Sequence, residues 1–275
     1  MYANLLVYLD PDRDNTALLK IAGELAERHG AGITGISVSQ PISAVCSQGT
    51  LPGDILDLDE NEVQQGMQKA NEQFHTLLRG RVPRLAWRSS NVSNERPVDY
   101  VARQARCADL VVTHSDYDKA LFDEARRISA ADLVMQAGRP VLAVPAPLGT
   151  LAARHVLVAW KDAPAARRAV ADALPLLQQA KQVIVAEVTD APPSQVPDGA
   201  HDVAAWLTQH GVAAESVVER ANGDTGNQLL TLALANDADL IVSGAYGHHR
   251  LREWAFGGVT RSLLAQNGIC TLLSH

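Results

Sequence analysis

The sequence has few aromatic residues and few cysteines, and it has no excess of basic charge. Aromatic side chains make up 4% of its 275 residues, and the formal net charge is −7. A negative net charge gives no general attraction to nucleic acid or to anionic membranes. The three cysteines, Cys46, Cys107 and Cys270, include no C-x-x-C pair, which favours reduced, packing cysteines over a disulfide framework.

Signals for export, membrane insertion and common catalytic machinery are also missing. No basic segment followed by an apolar run opens the sequence, and no apolar stretch reaches the roughly 18 residues of a membrane span, so we expect a cytoplasmic protein. The motifs G-x-x-x-x-G-K-[ST], G-x-S-x-G and H-E-x-x-H are absent. Because no nucleophile has a recognisable base, we expect at most weak ATP hydrolysis.

One segment has the spacing of metal ligands. His114, Asp116 and Asp118 form an H-x-D-x-D pattern, and these side chains could supply nitrogen and oxygen ligands. No second cluster completes such a set. We interpret the segment as a polar surface turn and predict no metal site.

The chain repeats itself after 130 residues. This shift aligns Asp109-Leu-Val-Val-Thr-His114 with Asp239-Leu-Ile-Val-Ser-Gly244, and Gln136-Ala-Gly138 with Gln266-Asn-Gly268. The sequence therefore indicates a duplicated unit. The 47% hydrophobic content and the alternation of strand and helix patterns predict an α/β fold with two cores.

Each copy is predicted to contain five strands with crossover helices, joined by the linker Pro145 to Ala153. The predicted strands are 4–9, 33–38, 84–89, 110–113 and 141–144, then 155–160, 182–188, 215–220, 239–243 and 269–273. The predicted helices are 15–29, 61–78, 97–106 and 128–136, then 164–179, 201–210, 226–236 and 258–266. The stretch 41–58 is predicted to be irregular, as either a surface lid or a mobile excursion.

Four glycines near the end of the second copy indicate a phosphate site. Gly244 and Gly247 follow an apolar strand, and Gly257 and Gly258 precede a periodic apolar stretch that predicts a helix. Backbone N–H groups at a helix start attract anions, and glycine lets a ligand approach closely. Glycines at strand ends and helix starts also serve turns alone, so that structural interpretation stays open.

The spacing G-2x-G-9x-G resembles the nucleotide-binding signature of the universal stress protein family. The resemblance covers nearly the whole chain. It implies a tandem protein of two Rossmann-like (adenine nucleotide alpha hydrolase-like) domains, each a five-stranded parallel sheet flanked by helices, packed as an internal pseudo-dimer. The implied domains are 1–147, a degenerate copy, and 153–275, the copy with the glycine motif.

The resemblance also implies a ligand and its binding residues. The ligand is ATP or a related nucleotide, with or without Mg²⁺. The implied nucleotide-binding residues are Ala159, Trp160, Lys161, Val188, Gly244, Gly247, His248, Gly257, Gly258, Val259 and Thr260. Two of them depart from the family pattern, since Lys161 stands where the family has Asp and Gly258 stands where it has Ser or Thr. Thr260 is the candidate to replace the missing hydroxyl.

The first copy lacks every glycine of the motif. Gly244, Gly247, Gly257 and Gly258 correspond to His114, Tyr117, Arg127 and Ile128. Side chains at these positions would fill the space of a phosphate, so we predict one nucleotide site per chain. Asp10 does keep the family's Asp in this copy.

Three functional hypotheses remain open. The chain is a nucleotide-binding regulatory protein of the stress response, an adenylyl-transfer enzyme, or a binder of another phosphorylated or apolar ligand. No protein partner is identifiable from the sequence. The fifth strands of the two copies are expected to pair within one chain, because an open apolar edge favours aggregation, and a further homodimer contact through other surfaces stays open.

Overall fold

The computed structural model describes residues 1–42, 52–115, 128–146, 148–191, 198–245 and 258–275. The described chain divides into two compact units, Met1–Arg139 and Pro140–His275. The sequence places the domain boundary at 147–153, so this division assigns one further strand, residues 141–144, to the second unit.

Strands and helices alternate in the first unit. In chain order they are β1 Asn4–Tyr8, α1 Thr16–His29, β2 Gly32–Ser39, α2 Gly53–Leu78, β3 Leu85–Asn91, α3 Pro97–Gln104, a 3₁₀ turn Ala105–Cys107, β4 Leu110–His114 and α4 Ala130–Gln136. The strand order is β3-β2-β1-β4, and the neighbouring strands run parallel.

The second unit follows the same alternation after one additional strand. Its elements are β5 Val141–Val144, β6 His155–Trp160, α5 Pro164–Leu177, β7 Gln182–Thr189, α6 Gly199–Gln209, β8 Ala214–Arg220, α7 Thr225–Ala235, β9 Leu240–Gly244, α8 Gly258–Ala265 and β10 Cys270–Ser274. The strand order is β5-β10-β9-β6-β7-β8. All pairs are parallel except β5 and β10, which run antiparallel with Ala143 opposite Thr271.

The α/β fold with parallel sheets is confirmed. The sequence predicts five strands in each half, whereas the first unit contains four described strands and the second contains six. β5, which the sequence assigns to the first copy, pairs with β10 and joins the second unit. The expected pairing of the two fifth strands is therefore observed. Pro140 precedes the first residue of β5, where its missing N–H costs no bond within the strand.

Continuous apolar runs explain the central strands. Leu5–Tyr8, Leu110–Val112, Val156–Val158 and Leu240–Val242 are all buried, as expected for parallel strands that are covered on both faces. Helices begin and end at the predicted signals. Pro97 and Pro164 open α3 and α5, and Gly30, with φ 64°, ends α1.

Helix α2 is longer than the sequence predicts. It begins at Gly53, whereas the prediction placed residues 53–58 in an irregular stretch; residues 43–51 of that stretch lie outside the described residues. The buried residues of α2 begin only at Val63. Its first ten residues therefore carry no apolar period that could have revealed the helix.

The repeat is visible at the amino edge of each sheet. Asp109 accepts hydrogen bonds from the backbone N–H groups of Ala3 and Asn4, at 2.7 and 2.9 Å. Asp239, its counterpart, accepts them from Arg154 and His155, at 3.1 and 3.3 Å. Each Asp ties the strand that follows it to the start of the neighbouring strand, which explains why both copies carry it.

Two of the cysteines lie in the described part of the chain. Cys107 is exposed, Cys270 is buried, and neither forms a disulfide. Burial raises the pKa of the Cys270 thiol to about 12, so this cysteine is an uncharged packing residue. Within the described residues, no helix is long and apolar enough to cross a bilayer.

Candidate functional site

The candidate site lies at the carboxyl ends of the strands in the second unit. There β6 has β9 on one side and β7 on the other, although the chain reaches β7 directly and β9 only later. Ligands of open α/β sheets bind at the carboxyl edge where the strand order reverses in this way. The predicted site residues Ala159, Trp160 and Gly244 belong to the ends of β6 and β9.

Three of the predicted site residues belong to one apolar cluster. Ala159 is 7% exposed within a buried core that includes Ile184, Ile241 and Leu263, and Val188 and Val259 pack against that core. Ala159, Val188 and Val259 come from β6, β7 and the first turn of α8. The fold therefore brings together residues up to 100 positions apart in one apolar cluster that includes the first turn of α8.

The start of α8 combines an open glycine with a buried hydroxyl residue. Gly258 is the first residue of α8, it is exposed, and a Cβ added to it would meet no atom of the described residues within 4 Å. The free N–H groups of a first helical turn favour a bound anion. Thr260, by contrast, is only 4% exposed. Its buried hydroxyl is therefore poorly placed to replace the hydroxyl that is missing at position 258.

Gly244 has a packing role that the sequence did not reveal. A Cβ on Gly244 would lie 2.4 Å from the backbone N of Ala166 and 2.7 Å from the carbonyl carbon of Ala165. The end of β9 thus touches the first turn of α5, and only glycine permits that approach. This contact explains why position 244 requires glycine, whether or not a phosphate binds there. Gly247, His248 and Gly257 lie outside the described residues.

Trp160 faces the opposite side of the sheet from Ala159, as neighbouring residues of a strand must. It is 6% exposed, and its indole Nε1 has no hydrogen-bond partner among the described residues. A Cβ built on Gly199, at the start of α6, would lie 3.3 Å from Nε1. Trp160 is therefore a buried residue with an unused donor.

The two charged residues after Trp160 are exposed. Lys161 lies on the surface. Asp162, one place after the position of the family's Asp, forms a 2.7 Å ion pair with Arg167, and the two side chains are 67% and 60% exposed. Exposed pairs of this kind contribute little, about 0 to 1 kcal/mol.

Sequence reasoning missed Glu187. It is the register partner of Trp160 on β7, and its carboxyl accepts a hydrogen bond from the backbone N–H of Ala200. Its Oε2 atom is buried without a partner in the described part of the chain. Burial, and then the neighbouring Asp162, raise the pKa of Glu187. The available signal was an acid that interrupts the apolar strand Val183–Val188.

In the first unit, a side-chain network fills the corresponding edge. His114, at the position of Gly244, is 4% exposed, and its Nε2 lies 3.0 Å from Oδ1 of Asn15. The amide of Asn15 also donates to the backbone carbonyl of Asp10 at 3.0 Å. Ile128, at the position of Gly258, is buried as well. In the second unit these positions carry no side chain, and the first turn of α5 packs against Gly244 instead.

These contacts correct the interpretation of His114 as part of a surface turn. His114 ends β4 and is buried, because it faces the start of α1. Asp116, Tyr117, Asp118 and Arg127 lie outside the described residues. Asp10, which keeps the family's Asp, accepts from the N–H of Asp12 at 2.9 Å and lies 3.4 Å from the Arg13 guanidinium. The described residues contain no group of three His, Cys, Asp or Glu side chains able to hold a metal.

Comparison with known proteins assigns the second half of the chain to a family. The model of the universal stress protein family matches residues 152–267. No curated protein sequence matches the chain significantly. The family match thus covers the unit that carries the candidate site.

Solved structures match over the full chain. A universal stress protein from Archaeoglobus fulgidus DSM 4304 is 11% identical, with a TM-score of 0.71, over 98% of this chain and 95% of that chain. A protein assigned to the universal stress proteins from Pseudomonas aeruginosa UCBPP-PA14 is 16% identical, with a TM-score of 0.59, over 99% and 93%. The second half of the chain is therefore a universal stress protein domain, and the chain as a whole has the fold of a tandem universal stress protein.

The same fold occurs in a protein of another kind. The cytoplasmic domain of a prokaryotic cation chloride cotransporter is 12% identical, with a TM-score of 0.50, over 99% of this chain and 95% of that chain. Because one fold hosts several functions, the function of this chain has to be argued from its site.

Proposed function

We propose that the second unit binds ATP or a related nucleotide, with or without Mg²⁺, and that the chain is a regulatory protein of the stress response. The observation that carries this proposal is the open start of α8. Among the described residues, nothing lies within 4 Å of a Cβ built on Gly258, and Ala159, Val188 and Val259 belong to one apolar cluster that reaches the first turn of α8. An anion-binding helix start next to an apolar surface suits a phosphate chain joined to a base.

Little hydrolysis is expected at this site. A general base must reach the attacking water and be able to take its proton. Glu187 is a partly buried carboxyl at this edge, and it lies on the other face of the sheet from the start of α8. Its position therefore suits binding better than catalysis.

Substitutions at Gly258 test the site with little disturbance of the described fold, because an added Cβ meets none of the residues that the structure describes. Gly258→Ser introduces a hydroxyl for a phosphate oxygen, and we expect it to tighten ATP binding about fivefold to tenfold. Gly258→Ala is the matched control and should give no such gain. Isothermal titration calorimetry on the full chain measures both.

Two results would overturn the proposal. The first is the absence of ATP binding to the wild-type chain, and the second is an affinity that is the same for all three residues at position 258. Phosphate release in the same samples should stay marginal. Release of pyrophosphate that depends on a second substrate would favour an adenylyl-transfer enzyme instead.

A further inference from the structure

Trp160 and Glu187 form a pair of neighbouring side chains beneath the start of α6. They are register partners on the parallel strands β6 and β7, so both side chains leave the sheet on the same face. Trp160 is the last residue of β6, and Glu187 lies two residues before the end of β7. Both side chains therefore lie at the carboxyl end of the sheet, where the nucleotide is proposed to bind.

Each member of this Trp160–Glu187 pair has one unused polar atom. Nε1 of Trp160 and Oε2 of Glu187 are buried without a hydrogen-bond partner among the residues that the structure describes. Buried polar atoms in folded proteins are almost always paired. An indole N–H can only donate, and a carboxylate oxygen accepts. The pair therefore offers one donor and one acceptor to a group that is not part of the described chain.

The first residues of α6 lie next to both members of the Trp160–Glu187 pair. Gly199 opens this 11-residue helix, and its missing side chain leaves space next to Nε1 of Trp160, which lies 3.3 Å from a Cβ built at that position. Ala200 donates its backbone N–H to the Glu187 carboxyl, which fixes the side chain and leaves Oε2 as the unused atom.

A hydroxyl group satisfies both atoms at once, because it accepts one hydrogen bond and donates another. The nucleotides proposed above carry such groups on the ribose. In the dinucleotide-binding Rossmann units, which are a different α/β type, an acid after the first helix binds the ribose 2′-hydroxyl. Glu187 has that position on β7, which follows β6 and α5.

We propose that Trp160 and Glu187 bind the ribose 2′-hydroxyl of the nucleotide, so that the site selects ribonucleotides over 2′-deoxyribonucleotides. The hydroxyl accepts the indole N–H of Trp160 and donates to Oε2 of Glu187. This selectivity rests on the proposed nucleotide-binding function, and it explains how the chain holds a ribose although Lys161 replaces the family's Asp.

Parallel titrations of the full chain with ATP and 2′-deoxy-ATP test the selectivity. For the wild-type chain we expect 2′-deoxy-ATP to bind roughly tenfold to a hundredfold more weakly, because it leaves two buried atoms unpaired. Trp160→Phe removes the donor, and Glu187→Leu removes the acceptor. Either substitution should bring the ratio of the two dissociation constants close to one.

Glu219→Leu is the matched control. Glu219 is an acid on the neighbouring strand β8, opposite Val188 in register, and it accepts a hydrogen bond from the Gln228 amide. This variant should keep the wild-type preference for ATP. A circular dichroism spectrum of each variant establishes that it has folded.

The outcomes separate the two proposals. Equal affinity of the wild-type chain for both nucleotides overturns the selectivity and leaves nucleotide binding intact. A preference for ATP that survives both Trp160→Phe and Glu187→Leu assigns the hydroxyl to other residues and also overturns it. Binding of neither nucleotide overturns the proposed function itself.

Discussion

His114 and Gly244 end equivalent strands, β4 and β9, and they have opposite effects on the sheet edge. The imidazole of His114 extends to Asn15 and fills the edge of the first unit. Gly244 lets the first turn of α5 approach to contact distance in the second unit. The residue at this one position, histidine or glycine, thus decides whether a side chain fills the carboxyl edge of the sheet.

The buried imidazole makes the first unit sensitive to acid. Burial, and then the positive charge of Arg13, lower the pKa of His114 to about 4, whereas an unfolded histidine has a pKa of about 6.5. The unfolded chain therefore binds the proton more readily, and stability falls as the pH drops from about 6.5 to about 4. His114 should lower the free energy of unfolding by about 2 kcal/mol between about pH 7 and about pH 5.

Chemical denaturation of His114→Gln as a function of pH measures this contribution. Glutamine does not titrate, and its amide can still donate to Asn15, so the variant should lose most of that acid sensitivity. His201→Gln, at an exposed position on α6, should keep the wild-type pH dependence. Identical pH profiles for the wild-type chain and His114→Gln would show that His114 is not responsible.

At the scale of the elements, the contact between α7 and α8 positions the proposed phosphate site. Gly226, in the first turn of α7, lies so close to α8 that an added Cβ would stand 2.6 Å from the Cβ of Ser262. Asp224 caps α7 by accepting the N–H of Asn227 at 2.7 Å, which holds this turn in place. The position of α8, and of Gly258 at its start, depends on this close approach.

Gly226→Ala should force the two helices apart and lower the free energy of unfolding by about 1–3 kcal/mol. The double variant Gly226→Ala with Ser262→Gly removes the opposing Cβ and should recover part of the loss. Pairing Gly226→Ala with Ser262→Ala removes only the Oγ contact at 2.7 Å, keeps the Cβ contact at 2.6 Å, and should recover less. Urea denaturation compares the three, and equal recovery by both second substitutions would rule out a steric cause.

The strands and helices could largely be predicted from the sequence, whereas the candidate site could be predicted only in part. Apolar runs placed the strands within about two residues of their observed bounds, because a parallel strand needs such a run whatever its neighbours. The first turns of α2 were missed because no residue before Val63 is buried. The pairing of Trp160 with Glu187 depends on strand register, and the contact of Gly244 with α5 depends on packing; neither leaves a local pattern in the sequence.

At the scale of the whole molecule, the two copies differ at the equivalent edge of the sheet. The first unit fills its edge with His114 and Ile128, whereas no described residue surrounds Gly258 in the second. If the proposed function is right, the chain should bind one nucleotide, although it contains two copies of the same α/β fold.

Calorimetry on the full chain should therefore give a stoichiometry of one nucleotide per chain. Gly258→Tyr places a large side chain at the start of α8, where the protein itself leaves room, and it should abolish binding. If the first unit also bound nucleotide, the wild-type chain would take up two, and Gly258→Tyr would retain about half of that uptake.

The strand β5 has a consequence for how such a chain can be divided. Residues 141–144 belong to the first copy by descent, yet they cover the edge of β10 and fold with the second unit. A fragment that starts at residue 153 preserves the inherited module and uncovers β10, whereas one that starts at Pro140 keeps that edge paired. A cut at the boundary between the two sequence copies therefore does not separate the two folded units, because the second unit takes one strand from the first copy.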